Sequence, residues 1–293
     1  MHDTVRKFVL GEEDEKVLSW LIANKSQTNH NKARKKHQAT TGEWFLQSKS
    51  FTQWIKSTKS SLWLYGKAGS GKTILCSTVI EHILALSRSS NLHCAYFYFD
   101  FEYKWNVDDM LRSVIAQVCR SIGSLPRRLH QLYEECLRGQ RQPFTPSLIE
   151  IIQLLTKSTQ IVLILDALDE CGAEPERVDL LEALEELVKG SDGLKLLVAS
   201  RNENDIERVL KPVFDDLIGL EENVVQSDID VYIREHLKND VKLRVWDDDT
   251  KSEIERTLVK GAEGMYISQG YAADLDQVSM GRMSDNHAEG LQR

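Results

Sequence analysis

Residues 62–75 read LWLYGKAGSGKTIL, and this stretch decides the fold. Four mostly apolar residues, Leu62 to Tyr65, run into Gly66, Lys67, Ala68, Gly69, Ser70, Gly71, Lys72 and Thr73. Those eight residues meet the pattern G-x-x-x-x-G-K-[S/T] in full. Glycines let successive main-chain N–H groups turn inward around β- and α-phosphates with no side chain in the way. Lys72 would reach the β- and γ-phosphates, and Thr73 would offer its hydroxyl to Mg²⁺. A helix beginning near Lys72 adds its positive N-terminal end to the same anion site. Roughly one chain of this length in a hundred would carry the pattern by chance, so a plain glycine-rich surface loop is the weaker reading. A strand before the motif and a helix after it are the context it requires.

A bound triphosphate also needs its Mg²⁺ held from the protein side, by a carboxylate at a strand end. Gln160-Ile-Val-Leu-Ile-Leu165 is the most strand-like run in the chain, and Asp166 follows it directly. Asp169 and Glu170 come within one turn, where either would orient or deprotonate an attacking water; a plain loop start is the alternative for both. Leu194–Ala199 is another short apolar strand, followed by Ser200 and Arg201. In a parallel sheet Arg201 shares an edge with Asp166, the edge at which ligands sit. Such an arginine would sense or stabilise γ-phosphate charge; a surface arginine is the competing account.

Helices and strands alternate around these motifs. Glu12–Ile22 is helix-like, with Val17, Leu18, Leu21 and Ile22 on one side. A basic stretch from Asn24 to His37 reads as a linker or solvated face, with a phosphate or partner contact as the sharper alternative. The aromatics of Thr41–Leu46 and Phe51–Trp54 are expected beneath the strand that precedes the glycine loop. Ile74–Leu86 has apolar residues at 75, 79, 80, 83 and 84, a helical period. Cys94–Phe99 reads as a buried strand ending at Asp100. Asp108 is a candidate cap for a helix with Leu111, Val114, Ile115, Val118, Cys119 and Ile122 on one stripe. A second helix is expected over Pro126–Arg138, stopping at Gly139, and a third opens at Thr145-Pro146. Another spans Pro175–Lys189, and a weaker strand lies around Leu217–Leu220. The alternation implies an α/β fold, a mostly parallel sheet covered on both faces. Beyond it, Ser227 caps a candidate helix, Thr250–Gly261 is another, and Ile267–Arg293 lacks apolar periodicity and reads as a disordered tail.

The 293 residues are 41% hydrophobic and 28% charged, ordinary for a globular protein. A net charge of −8 gives no sign of a general nucleic-acid or membrane-surface binder. Five cysteines without CxxC spacing read as buried free thiols in a reducing cytosol. No signal-peptide pattern and no run long enough to span a bilayer are found, so a cytoplasmic location is expected. A GTPase is disfavoured, because no N/T-K-x-D base-reading motif follows the loop.

TGEWFL, YGKAGSGKT, AYFYFDF, LILDALDEC and LLVASR, in this order, resemble the NACHT-type P-loop NTPase domain of the STAND class. In form the chain is similar to the nephrocystin 3-like N-terminal domain of large fungal proteins, over roughly residues 12–266. The resemblance implies a five-stranded core of order 5-1-4-3-2, with ATP and Mg²⁺ as ligands. It implies a nucleotide-dependent signalling switch with protein partners or self-association through the NTPase domain. Family patterns place a small residue after the Mg²⁺-binding acid, here Ala167, acids three and four positions on, here Asp169 and Glu170, and a strand-end arginine, here Arg201. The chain would then divide into an N-terminal helix and basic linker (1–40), the NTPase core (41–225), a helical extension packed on the core (226–266) and the tail (267–293). One departure stands out: Gly261–Tyr266 leads into Ile267-Ser-Gln-Gly-Tyr instead of a hydrophobic sequel, and no winged-helix segment or repeat array follows. The phosphate loop, Asp166 and Arg201 lead to the expectation of a slow regulatory ATPase, truncated or stand-alone, while the departure motivates an alternative. The alternative is a catalytically silent nucleotide-binding or protein-interaction module.

Overall fold

The computed structural model describes residues 10–21, 42–103, 105–172, 175–220, 248–252 and 255–256. The basic stretch, the helix expected after Ser227, most of Thr250–Gly261 and the tail lie outside the described residues. Two units are distinguished, residues 1–66 with 72–220, and residues 67–71 with 221–293.

The first unit is built on a sheet of five strands: β1 (Ser60–Tyr65), β2 (Leu92–Tyr98), β3 (Gln160–Asp166), β4 (Leu194–Ser200) and β5 (Asp216–Gly219). Every neighbouring pair is parallel and the order is β2-β3-β4-β1-β5, the expected 5-1-4-3-2 read from the other side. Strands covered on both faces need continuous apolar runs. Leu62–Leu64, Ile161–Leu165 and Leu196–Ala199 supply them, all buried. Register brings Tyr65 beside Ser200, and Tyr98 beside Asp166, so the strands carrying the candidate residues end along one edge. Asp215 extends the sheet's anchoring at β5: its carboxylate accepts the Ser61 N–H and hydroxyl, both at 2.8 Å, and Leu220 N–H reaches Tyr65 O at 2.7 Å.

Helices cover the sheet: α1 (Glu12–Leu21), α2 (Glu43–Leu46), α3 (Lys49–Lys56), α4 (Lys72–Ser87), α5 (Val107–Ile122), α6 (Arg127–Glu135), α7 (Thr145–Ser158), α8 (Glu176–Gly190) and α9 (Asn204–Leu210). Helix α1 buries Val17, Leu18 and Leu21 in the same core as β3 and α5. Its Trp20 meets Tyr133 edge-on at 5.3 Å and donates Nε1–H to Arg141 O. The expectation for the aromatics holds in part: Phe45, Phe51 and Trp54 are buried and α3 lies against β1, but Trp44 is half-buried, α2 packs on α3 and α4, and Trp54 Nε1–H bonds Leu196 O of β4 at 3.2 Å. Gly42 precedes α2 with φ 81°, and a Cβ there would meet Leu75 and Thr78 of α4 at 3.0–3.3 Å. Only glycine suits both demands.

Three expectations need correction. Asn106, not Asp108, caps α5, sharing a reciprocal capping box with Asp109. Helix α6 ends at Glu135 and does not reach Arg138, because Leu137, Arg138 and Gly139 all turn left-handed. Leu84 of α4 is exposed. The five cysteines are free and buried, as expected.

Lys195 of β4 is buried at 1% exposure, and its ammonium donates to Gln160 Oε1 at 2.7 Å. Burial pushes its pKa down. The folded chain therefore binds fewer protons there than the unfolded chain, and stability climbs as pH rises from the lowered pKa toward the ordinary 10.5. Lys195→Met is expected to be more stable at neutral pH by about 1–4 kcal/mol, the gain typical when buried ionic groups yield to packed apolar ones. Urea melts should show that gain shrinking toward pH 10; a variant weaker than the parent at pH 7 would refute the account.

Candidate functional site

The Lys67–Gly71 loop, taken by itself, is built around two left-handed glycines, Gly69 at φ 76° and Gly71 at φ 82°. Ser70 is buried, and its N–H closes a turn on Lys67 O at 3.3 Å. A side chain at either glycine would be strained, and their positive φ lets neighbouring amides point to one side.

In the first unit, Gly66 leaves β1 with its N–H on Ser200 O, and Lys72 opens α4. The Lys72 ammonium donates to Gly66 O at 2.8 Å, folding back over the end of β1. Burial lowers its pKa, while the nearby carboxylates of Asp169 and Asp166 favour the charge. Asp166, at the end of β3, is 2% exposed. The Thr73 and Cys76 side chains hydrogen-bond to its carboxylate, yet Oδ1 has no partner. Burial raises its pKa to about 6, against the opposing pull of Thr73, Cys76 and Lys72.

Ala167 then adopts φ 56° and ψ 44°, a left-handed conformation unusual for a non-glycine residue. This is the physical reason for a small residue here: a β-branched side chain would clash with its own backbone. The reversal starts a single 3₁₀ turn, Leu168–Glu170, closed by Glu170 N–H on Ala167 O at 2.8 Å. Asp169 is turned back toward β4. Its side chain is 5% exposed, and its Oδ1 accepts the Arg201 N–H at 2.9 Å while Oδ2 lies 3.2 Å from Arg201 Nε. Arg201 itself is half exposed, its carbonyl fixed by the Ser200 hydroxyl, which in turn accepts Trp63 Nε1–H at 2.8 Å. Glu170 accepts the Phe101 N–H with its carboxylate. Burial and the nearby Asp169 raise its pKa.

Lys72, Thr73, Asp166, Asp169 and Arg201 thus gather in one cluster, and Glu170 stands at its rim. Two members escaped sequence reasoning. Cys76 lies one helical turn after Thr73, and its closeness to Asp166 was implicit in that spacing. Arg177, which joins the cluster by donating to Asp169 O at 2.5 Å, carries no motif at all. Among the described residues no group of three or more His, Cys, Asp or Glu side chains could hold a metal by itself. A cation at Asp166 would have to share its ligands with Thr73 and a phosphate.

The sequence profile of the family described as Nephrocystin 3, N-terminal matches residues 40–201. The chain belongs to this family. In this nephrocystin 3 N-terminal domain the matched span runs from just before Gly42 to Arg201, and so contains the glycine loop, Asp166 and the Asp169–Arg201 pair. No curated protein matches the chain. Among solved structures it is similar to PCH-2 of C. elegans, at 15% identity and TM-score 0.37, covering 90% of this chain and 62% of that one. Drosophila ORC, solved bound to DNA, gives 14% identity and TM-score 0.45, over 76% of this chain and 56% of that one. Cdc6p of Pyrobaculum aerophilum gives 17% and 0.41, over 67% and 49%. The chain therefore spans about half to three-fifths of the length of these proteins. With the glycine loop between β1 and α4 and the β2-β3-β4-β1-β5 sheet, the fold is that of a P-loop NTPase. No helix among the described residues is long and apolar enough to cross a membrane.

Proposed function

We propose that this domain is an ATP-binding, slowly hydrolysing regulatory NTPase of the NACHT/STAND type, in which nucleotide state sets a signalling conformation. The observation that carries the reading is Asp166, a buried carboxylate with Thr73 beside it and one oxygen without a partner. Such an oxygen is costly unless something satisfies it, and a divalent cation fits the need. Thr73 and Asp166 would hold Mg²⁺, which when bound neutralises charge on the β- and γ-phosphates. Lys72 would exchange Gly66 O for phosphate oxygens, and the amides of Lys67–Gly71 would line the phosphate chain. Arg201 would meet the γ-phosphate as charge builds on it.

Of the two acids after Ala167, both oxygens of Asp169 are engaged by Arg201, which supports Glu170 as the group that takes a proton from water. Its raised pKa suits a general base. The same Asp169–Arg201 pairing favours a second reading, a silent module that binds nucleotide while its arginine stays held. Phosphate release from Mg–ATP separates the two. Slow release is expected, falling at least about a hundredfold in Glu170→Gln. Tight binding with no release above background would leave the silent module; release unchanged in the variant would remove Glu170 from its role.

A further inference from the structure

Arg177, the second residue of α8, holds two segments at once. One Nη donates to Glu203 Oε2 and, at 3.3 Å, to Asp205 Oδ2; the other donates to Asp169 O at 2.5 Å and Cys171 O at 3.2 Å. The side chain is only 15% exposed. All four bonds leave from the two terminal nitrogens, and the buried Nε has no partner. This planar fork joins the turn after β3 to the segment that leads from β4 into α9. Asp169 is consequently held twice, by its carbonyl through Arg177 and by its carboxylate through Arg201.

We propose that Arg177 is a positioning residue, which sets the spacing between the acids that follow Asp166 and the arginine that ends β4. The proposal rests on the NTPase reading of the same site. Arg177 has neither Lys72 nor Asp166 among its partners, which are two main-chain carbonyls and two partly exposed carboxylates. It therefore acts on turnover through Asp169, Glu170 and Arg201, with little direct effect on nucleotide affinity. A lysine replaces it only in part, because a single ammonium cannot span a carboxylate pair and a carbonyl pair on opposite sides of a fork.

Arg177→Met, Arg177→Lys and the milder Glu203→Gln/Asp205→Asn pair test this in the intact chain, with Mg–ATP as probe. Arg177→Met is expected to lower kcat for phosphate release by about tenfold or more, as small misplacements of reacting groups do, with KM within about threefold. Arg177→Lys and the carboxylate pair should fall between it and the parent. In the nucleotide-free protein, hydrogen exchange at Glu170, Cys171, Arg201 and Glu207 should quicken together, while α5 keeps its protection. Unchanged kcat, loss confined to KM, or faster exchange across the whole sheet would overturn the proposal. Should the parent show no turnover, the NTPase reading falls, and the exchange pattern alone decides the clamp: loosening in one of the two segments without the other refutes it.

Discussion

Lys72→Ala is expected to weaken Mg–ATP binding roughly ten- to a hundredfold, the equivalent of the ~1.5–3 kcal/mol carried by a charge-assisted hydrogen bond. Nothing else among the described residues of α4's first turn offers a cation there: Thr73, Ile74 and Leu75 follow it. The ammonium already sits against Gly66 O at the end of β1, so little reorganisation would precede phosphate binding. Removing it frees that carbonyl to water at the surface, and the fold should survive. Isothermal titration with ATP and Mg²⁺ is the measurement. A parent that gives no heat sinks the nucleotide reading outright, and a variant that binds as tightly as the parent removes Lys72 from it.

Asp166→Asn should move two properties in opposite directions. Burial raises the pKa of Asp166 to about 6, so near pH 7 the folded chain holds a charge its surroundings disfavour. The neutral amide removes that penalty while keeping the shape, and melting of the nucleotide-free protein should rise by a few degrees, about 2–4 °C per kcal/mol in a chain of this size. The same change removes the carboxylate that Mg²⁺ would use, so magnesium should no longer improve ATP affinity. Such an outcome would be the usual exchange of stability for function at a ligand site. A variant that melts lower than the parent, or one in which magnesium still tightens ATP, contradicts the argument.

Much of this was legible from the chain alone. Ile161–Leu165 and Leu196–Ala199 admit few readings other than central strands, and an acid or arginine at the end of such a strand is forced to a shared edge. The sheet order, by contrast, came through resemblance, since periodicity says nothing of which parallel strands adjoin. Helix ends were the weak point. Asn106 and Asp108 are both good caps two residues apart, and only Asp109 reaching back to the Asn106 N–H decides between them. The early stop of α6 depends on Leu137 and Arg138 turning left-handed, which neither residue type foretells. Arg177 was invisible for a similar reason. Its partners lie 6 to 28 residues away and meet it only once α8 and α9 stand beside β4.

The docking of α1 and the placement of β5 bear on where this domain can be cut. The family match stops at Arg201 and starts at residue 40, yet Val17, Leu18 and Leu21 fill the core, and Asp215 and Leu220 bond to β1. A fragment trimmed to 40–201 would bare the main-chain edge of β1 on one side and an oily furrow over α5 and α6 on the other. Open strand edges and uncovered apolar seams are the usual seeds of aggregation. Recombinant production should therefore keep residues 10–220 together.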